Sequence, residues 1–300
     1  MFITQKYLPW FAFLGLGLLL LNGCGNATTT ASATSTVQVV AAENFYGNIA
    51  QQLGGSHVSV TSILSDPNVD PHEYESSFQN AAAVSGAQLV IENSDGYDSW
   101  MDKLLSASPN ASRHVIKAFD LAPHKLPENE HVWYSPTNIV AIAQAITSAL
   151  KQSDAKDAAS FDKNLTTFKQ SIQTIQQKIA TIKAKYAGTP VGLTETIFLY
   201  QTELLGLNVL TPFTFQKAIA EGNDPPADTI AAVNSQISQK QIKVLIYNEQ
   251  TITAITTNMQ KAATQQHIPI VPVTETMPPG KTYQSWMLDQ LTVLQQALGG

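Results

Sequence analysis

Four side chains of this sequence could together hold a divalent metal ion: the imidazoles of His72 and His131 and the carboxylates of Glu195 and Glu275. His72 stands in Asp70-Pro71-His72-Glu73-Tyr74-Glu75, where the Asp-Pro step imposes an extended backbone and presents an imidazole from a loop. His131, in Glu130-His131-Val132-Trp133, lies on a second predicted loop, and Glu195 and Glu275 close predicted strands in the second half of the chain. Two imidazoles and two carboxylates offer nitrogen and several oxygens in one closed site. Such a set suits Mn2+ through bidentate carboxylates and equally a tetrahedral Zn2+, so both ions remain open.

Positioning these groups requires a scaffold, and the chain alternates strand and helix signals throughout. Val37–Ala42, Val58–Leu64, Leu89–Glu92 and Val115–Phe119 are short β-branched or apolar runs, each separated from the next by a segment with helical spacing. The second half repeats the pattern with Val191–Leu193, Val209–Pro212, Val244–Tyr247 and Ile268–Val273. Parallel neighbours need crossover connections, normally helices, so the pattern predicts an α/β fold of two lobes, each with a four-stranded parallel sheet. Ligands in such sheets bind beyond the carboxyl ends of the strands, which is where all four candidates fall.

Between the halves, Phe161, Leu165, Phe168, Ile172, Ile175, Ile179, Ile182 and Tyr186 follow one another in alternating steps of four and three. That spacing predicts one amphipathic helix of at least about 26 residues, roughly 39 Å long. A regular heptad also fits a coiled-coil dimer. A single such helix between two α/β halves is better read as a spine packed along both, in a monomer, and Gly188 and Pro190 end it. The expected organisation is a leader over 1–23, a tether over 24–36, a lobe over 37–154, a linking helix over 155–187 and a second lobe over 188–300.

The leader reading rests on Lys6, followed by an apolar run of about 14 residues from Leu8 to Leu21, too short for a permanent membrane span and suited to a secretory signal. Cys24, the only cysteine, follows Leu21-Asn22-Gly23 and cannot form an internal disulfide. The stretch looks like a lipobox, with Cys24 lipidated and the chain held on the outer face of a bacterial cell membrane. The uncharged Asn26–Thr36 segment, poor in large apolar residues, reads as a tether. A net charge of -6 argues against nucleic acid and is compatible with cations.

The order lipobox, Asp-Pro-His-Glu-Tyr-Glu, His-Val-Trp, long helix, Glu195 ahead of Tyr200 and Gly206-Leu207, then Glu275 with Tyr283 downstream resembles the metal-binding solute-binding lipoproteins of bacterial manganese and zinc ABC importers, the cluster A-I or zinc-uptake family. The resemblance spans about residues 37–298. It implies two α/β lobes joined by one long helix, a metal in the cleft between them, and ligands at His72, His131 and Glu195. The family's fourth ligand is usually aspartate. The matching position is Glu275, a departure that moves the carboxylate by about one bond length. The resemblance further implies delivery of Mn2+ or Zn2+ to a membrane permease. The sequence has no G-x-x-x-x-G-K-[ST] loop, so the ATPase would be a separate subunit.

Other residues compete with these. His124 competes with His131 and is expected in a mobile loop; Asp289 and Glu249 stand behind Glu275. Asp70, Glu73 and Glu75 are expected to orient the His72 loop, and His57, His114 and His267 to be structural. Two other functions compete, a secreted metallohydrolase and a surface adhesin. The first lacks H-E-x-x-H and G-x-S-x-G, and four protein ligands would leave no position for an activated water, so the chain is not expected to be an enzyme.

Overall fold

Successive residues of Val37-Gln38-Val39-Val40-Ala41-Ala42 must face opposite sides of a strand, and both sides are covered. In the computed structural model, which describes residues 36–299 apart from 68, 70, 72 and 73, β1 (Val37–Glu43) sends Val37, Val39 and Ala41 into one apolar cluster. Val40 and Ala42 enter another. After β1 come α1 (Asn44–Gly54), β2 (Val58–Leu64), α2 (Phe78–Gly86), β3 (Leu89–Glu92), α3 (Ser99–Ala107) and β4 (His114–Lys117). The four strands are parallel, in the order β2-β1-β3-β4.

The chain then passes through α4 (Ala118–Leu121), α5 (Pro136–Ser153) and α6 (Ala158–Tyr186) into the second lobe. There β5 (Pro190–Leu193), α7 (Leu199–Leu205), β6 (Asn208–Val209), α8 (Phe213–Ala220), α9 (Ala227–Ser238), β7 (Val244–Asn248), α10 (Ala254–Gln265), β8 (Ile270–Val273) and α11 (Tyr283–Ala297) repeat the plan. This sheet is parallel too, in the order β6-β5-β7-β8, the same order as the first.

The expected strands are all present, with three ends corrected by two or more residues and others by one. The strand expected over Val115–Phe119 ends at Lys117, because Ala118 opens α4, and Phe119 donates its amide to the Asn93 carbonyl. The strand expected to reach Pro212 ends at Val209; Pro212 instead stands at the N-cap of α8, where a missing N–H costs nothing. The last strand starts at Ile270, two residues later than expected, after a turn at His267 with φ of 60°.

The linking helix is 29 residues long. Phe161, Phe168, Ile172, Ile175, Ile179, Ile182 and Tyr186 are buried and belong to a single cluster that also takes the inward faces of β1, β3, β5, β7 and β8. Its apolar stripe is therefore spent inside the chain, on both lobes at once, which is the spine arrangement. Each sheet's outer face closes on a smaller cluster of its own, around Val84, Trp100 and Met101 in the first lobe and around Phe215, Val233 and Met259 in the second. Gly206, with φ of 66°, caps α7 in a left-handed conformation and accepts the Gly188 amide, closing the exit of α6 against the second lobe. Among the described residues no helix is long and apolar enough to cross a membrane.

Candidate metal centre

His131 reaches the centre on the loop between α4 and α5, just ahead of the 3-10 turn Val132–Tyr134, and is fully buried. Its orientation is set by Asn129. The Asn129 amide donates to the Thr196 carbonyl at 2.9 Å, which fixes its Oδ1 toward His131 Nδ1 at 3.0 Å. An amide oxygen only accepts, so Nδ1 carries the proton and Nε2 carries the lone pair that a metal needs. The ring is also packed by Trp133 at 5.1 Å and Tyr97 at 6.0 Å between centroids. From below, Asn93 donates to the Glu130 carbonyl at 3.0 Å and accepts the Tyr46 hydroxyl at 2.7 Å.

Glu195 directly follows Thr194 at the end of β5 and is 1 % exposed. Its Oε2 accepts the Ile197 amide at 3.2 Å, so the carboxylate caps the 3-10 turn Thr196–Phe198. Capping fixes the side chain at the positive end of a helical segment without using up its oxygen lone pairs. Asn129, by holding His131 and Thr196 together, ties this corner to the first imidazole.

Glu275 follows β8 and is also 1 % exposed. Tyr97 donates to its Oε2 at 2.9 Å and Asn248, at the end of β7, donates to Oε1 at 2.6 Å. Burial and the neighbouring Glu275 push the Tyr97 hydroxyl well above its ordinary value, so it remains a donor. Asn248 also donates its backbone amide to the Thr194 hydroxyl oxygen at 3.2 Å, which links the Glu195 corner to Glu275. His131, Glu195 and Glu275 are thus bound into one buried network through Tyr97, Asn129 and Asn248.

His72 lies outside the described residues, as do Asp70, Glu73 and Cys24. The backbone beside it is placed: Pro71 is buried, and the Val69 carbonyl accepts Gln250 Nε2 at 2.8 Å. The same Gln250 accepts the Glu275 amide at 2.7 Å and the Thr276 amide at 3.0 Å through Oε1. The stretch leading to His72 is therefore hung from the strand end that bears Glu275.

The alternative residues go elsewhere. Glu249 is exposed, Asp289 pairs with Lys281 at 2.6 Å on the surface, and Glu75 faces solvent. His124, expected to be mobile, is held by an ion-pair contact to Glu203 at 3.2 Å and by its backbone to Asn138, and it is 44 % exposed. A pocket of about 280 Å³ borders Glu130 and Thr196 and is lined by Asp95, Glu128 and Glu221 against Lys217. Its acidic excess favours cations near the centre.

Sequence reading missed the groups that hold the candidates, and a buried acidic group beneath them. Glu43 ends β1 fully buried, Glu92 ends β3, and Asp98 accepts the Asn93 and Ser94 amides at 2.6 and 2.7 Å. Neither Glu43 oxygen accepts a hydrogen bond, and the carboxyl faces Asp98. Burial first, then the neighbouring Asp98, holds Glu43 well above the usual carboxylate range. Burial pushes Glu92 up to about 7, against the Lys117 ammonium at 3.0 Å. A signal existed: a polar residue closing an apolar strand marks Glu43, Glu92 and Asn248 by the same rule that marks Glu195.

Comparison with known proteins shows what the chain is similar to. The family described as zinc-uptake complex component A, periplasmic, matches residues 39–297. The metal ABC transporter substrate-binding lipoprotein SsaB of Streptococcus sanguinis is 27 % identical over 177 residues, 54 % of this chain and 56 % of that protein. The manganese-binding lipoprotein MntA of Bacillus subtilis (strain 168) is 28 % identical over 151 residues, 48 % of this chain and 49 % of that one. The chain thus spans about half the length of the curated relatives it matches. The periplasmic zinc binding protein TroA from Treponema pallidum shares the fold, with a TM-score of 0.74 at 15 % identity, over 89 % of this chain and all of that one.

Proposed function

This chain belongs to the family of the zinc-uptake complex component A, and we propose that it is an extracytoplasmic substrate-binding protein of an ABC importer. It captures Mn2+ or Zn2+ as cargo in the cleft between its lobes and delivers the ion to a membrane permease driven by a separate ATPase subunit. The ligands are His72, His131, Glu195 and Glu275. The protein works by binding and release and catalyses no reaction. It is anchored through a lipid on Cys24, with its lobes over 37–154 and 188–300 joined by the segment 155–187.

One observation carries this reading: three buried candidate ligands at the ends of chain segments from both lobes share positioning partners, and the backbone leading to the fourth hangs from one of them. Buried carboxylates and an imidazole with a fixed tautomer are costly to keep without a cation to compensate them. The ion enters when both imidazoles are neutral, so capture weakens as pH falls. Release follows separation of the two lobe halves of the site, since no single lobe supplies the whole ligand set.

Metal analysis of protein purified without chelators, followed by competition between Mn2+ and Zn2+, tests the proposal. One tightly held equivalent is expected, sharply weakened for both ions by His72→Ala. Native affinity in a folded His72→Ala protein would overturn the assignment.

A further inference from the structure

We propose that His57, Asp154 and Asp157 form a second metal site, for a borderline divalent ion of the zinc class, at the pole of the first lobe away from the cleft. One ligand atom from each residue lies within 4.8 Å of the others, and all three residues are half-buried. His57 Nδ1 stands 3.0 Å from Asp157 Oδ2. Donors around a tetrahedral zinc are about 3.4 Å apart when each bond is about 2.0–2.1 Å, close to the spacing already present.

Two chain segments distant in sequence make the cluster. His57 ends the 3-10 turn Gly55–His57 that joins α1 to β2, and Asp154 and Asp157 flank the corner between α5 and α6. The imidazole is held by an edge contact to the buried Phe161 ring at 5.7 Å, with planes at 87°. Asp154 has neither a side-chain hydrogen bond nor a cation partner among the described residues, although it faces a second carboxylate. The one imidazole offers at most a single positive charge against two carboxylates, and a divalent ion supplies the missing charge. One nitrogen with two carboxylate oxygens favours zinc-class ions over Ca2+ or Mg2+, with water completing the coordination at this half-exposed place.

The site is independent of the cleft. β2 begins at Val58, directly after His57, and the Asp-Pro-His loop follows its other end, about 20 Å away for seven residues of strand. An ion here staples the α1–β2 turn to the base of the linking helix, so it should raise the melting temperature without occupying the cleft.

Equilibrium dialysis of the full chain against Zn2+, with metal per protein measured, decides the matter. Wild type should take two equivalents, the second at least about ten-fold weaker because it has fewer protein ligands and more water. Asp154→Asn and His57→Gln should each bind one, with unchanged affinity for the tight ion and without the second increment in melting temperature. A Glu195→Gln/Glu275→Gln protein should keep the weaker equivalent. Asp154→Asn removes no hydrogen bond, so it decides the outcome even if His57→Gln unfolds. A single equivalent in wild type at saturating Zn2+, or a second one that survives Asp154→Asn, overturns the proposal. A tight equivalent that survives Glu195→Gln/Glu275→Gln would count against the cleft assignment instead.

Discussion

Gln250 donates from Nε2 to the Val69 carbonyl at 2.8 Å while its Oε1 accepts the Glu275 amide at 2.7 Å, so one buried amide grips backbone on both sides of the cleft. Every polar atom of that side chain is satisfied, by Thr276 as well as by these two. Gln250→Ala leaves the Val69 carbonyl and two amides without their partner and frees the stretch that leads to His72. Metal affinity is expected to fall by about 10- to 100-fold, the usual effect of losing a group that orients ligands. Competition titration on the folded variant checks this, and an unchanged dissociation constant would show that the grip does not serve the site.

The pH dependence of the metal-free protein should be dominated by acids that the cleft does not use. Glu43 is held above its ordinary value of 4.5, and Glu92 is pushed up to about 7, both chiefly by burial. A carboxyl raised on folding contributes stability that is full below its unfolded value and is lost as pH rises through its folded value. Stability should therefore decline from about pH 4.5 upward, with the Glu92 contribution gone above about pH 7. Glu43→Gln retains the shape and stays neutral at every pH. It should match wild type at pH 5 and exceed it at pH 8 in urea unfolding. Equal stability at pH 8 would mean that Glu43 is ionised at no cost.

Which parts of this architecture could be read in the chain follows from what leaves a pattern. The strands show as β-branched runs and α6 as a heptad because their side chains repeat with the backbone period. The order of the strands leaves no such trace, since Val39, Val90, Val191 and Leu245 look alike whichever neighbour they pair with. The candidate site residues were chosen by type and by loop or strand-end position, and three of them, His131, Glu195 and Glu275, are buried and share a hydrogen-bonded network. Their holders were not legible: Asn129 acts on a carbonyl 67 residues away and Gln250 on one 181 residues away. Backbone partners carry no residue identity, so nothing in the local sequence announces those bonds. His124 shows the converse, a loop residue whose composition suggests looseness and which contacts Glu203 through its side chain and Asn138 through its backbone.

Metal binding should alter the overall shape little. The apolar cluster along α6 continues without a break from β1 and β3 to β5, β7 and β8, and swinging the lobes widely apart would expose it. A small tilt with ordering of cleft loops is expected, instead of a broad hinge closure. Small-angle scattering of the metal-free and metal-loaded forms should give nearly the same radius of gyration. A large decrease on adding metal would exclude the rigid spine.

Glu195 is the place to change selectivity. Glu195→His converts the proposed set to three imidazoles and one carboxylate, removing a potentially bidentate oxygen donor and adding one nitrogen suited to zinc. Mn2+ affinity should fall more than Zn2+ affinity, by about ten-fold or more in the ratio. Both constants must be measured at one fixed pH, because the new imidazole ligates only when deprotonated. The substitution also removes the cap on the Ile197 amide, a loss of about 1 kcal/mol that melting of the metal-free variant will report. If the folded variant keeps the wild-type ratio of Mn2+ to Zn2+ affinity, Glu195 serves only as the cap of its helical turn, and the third ligand must come from another residue.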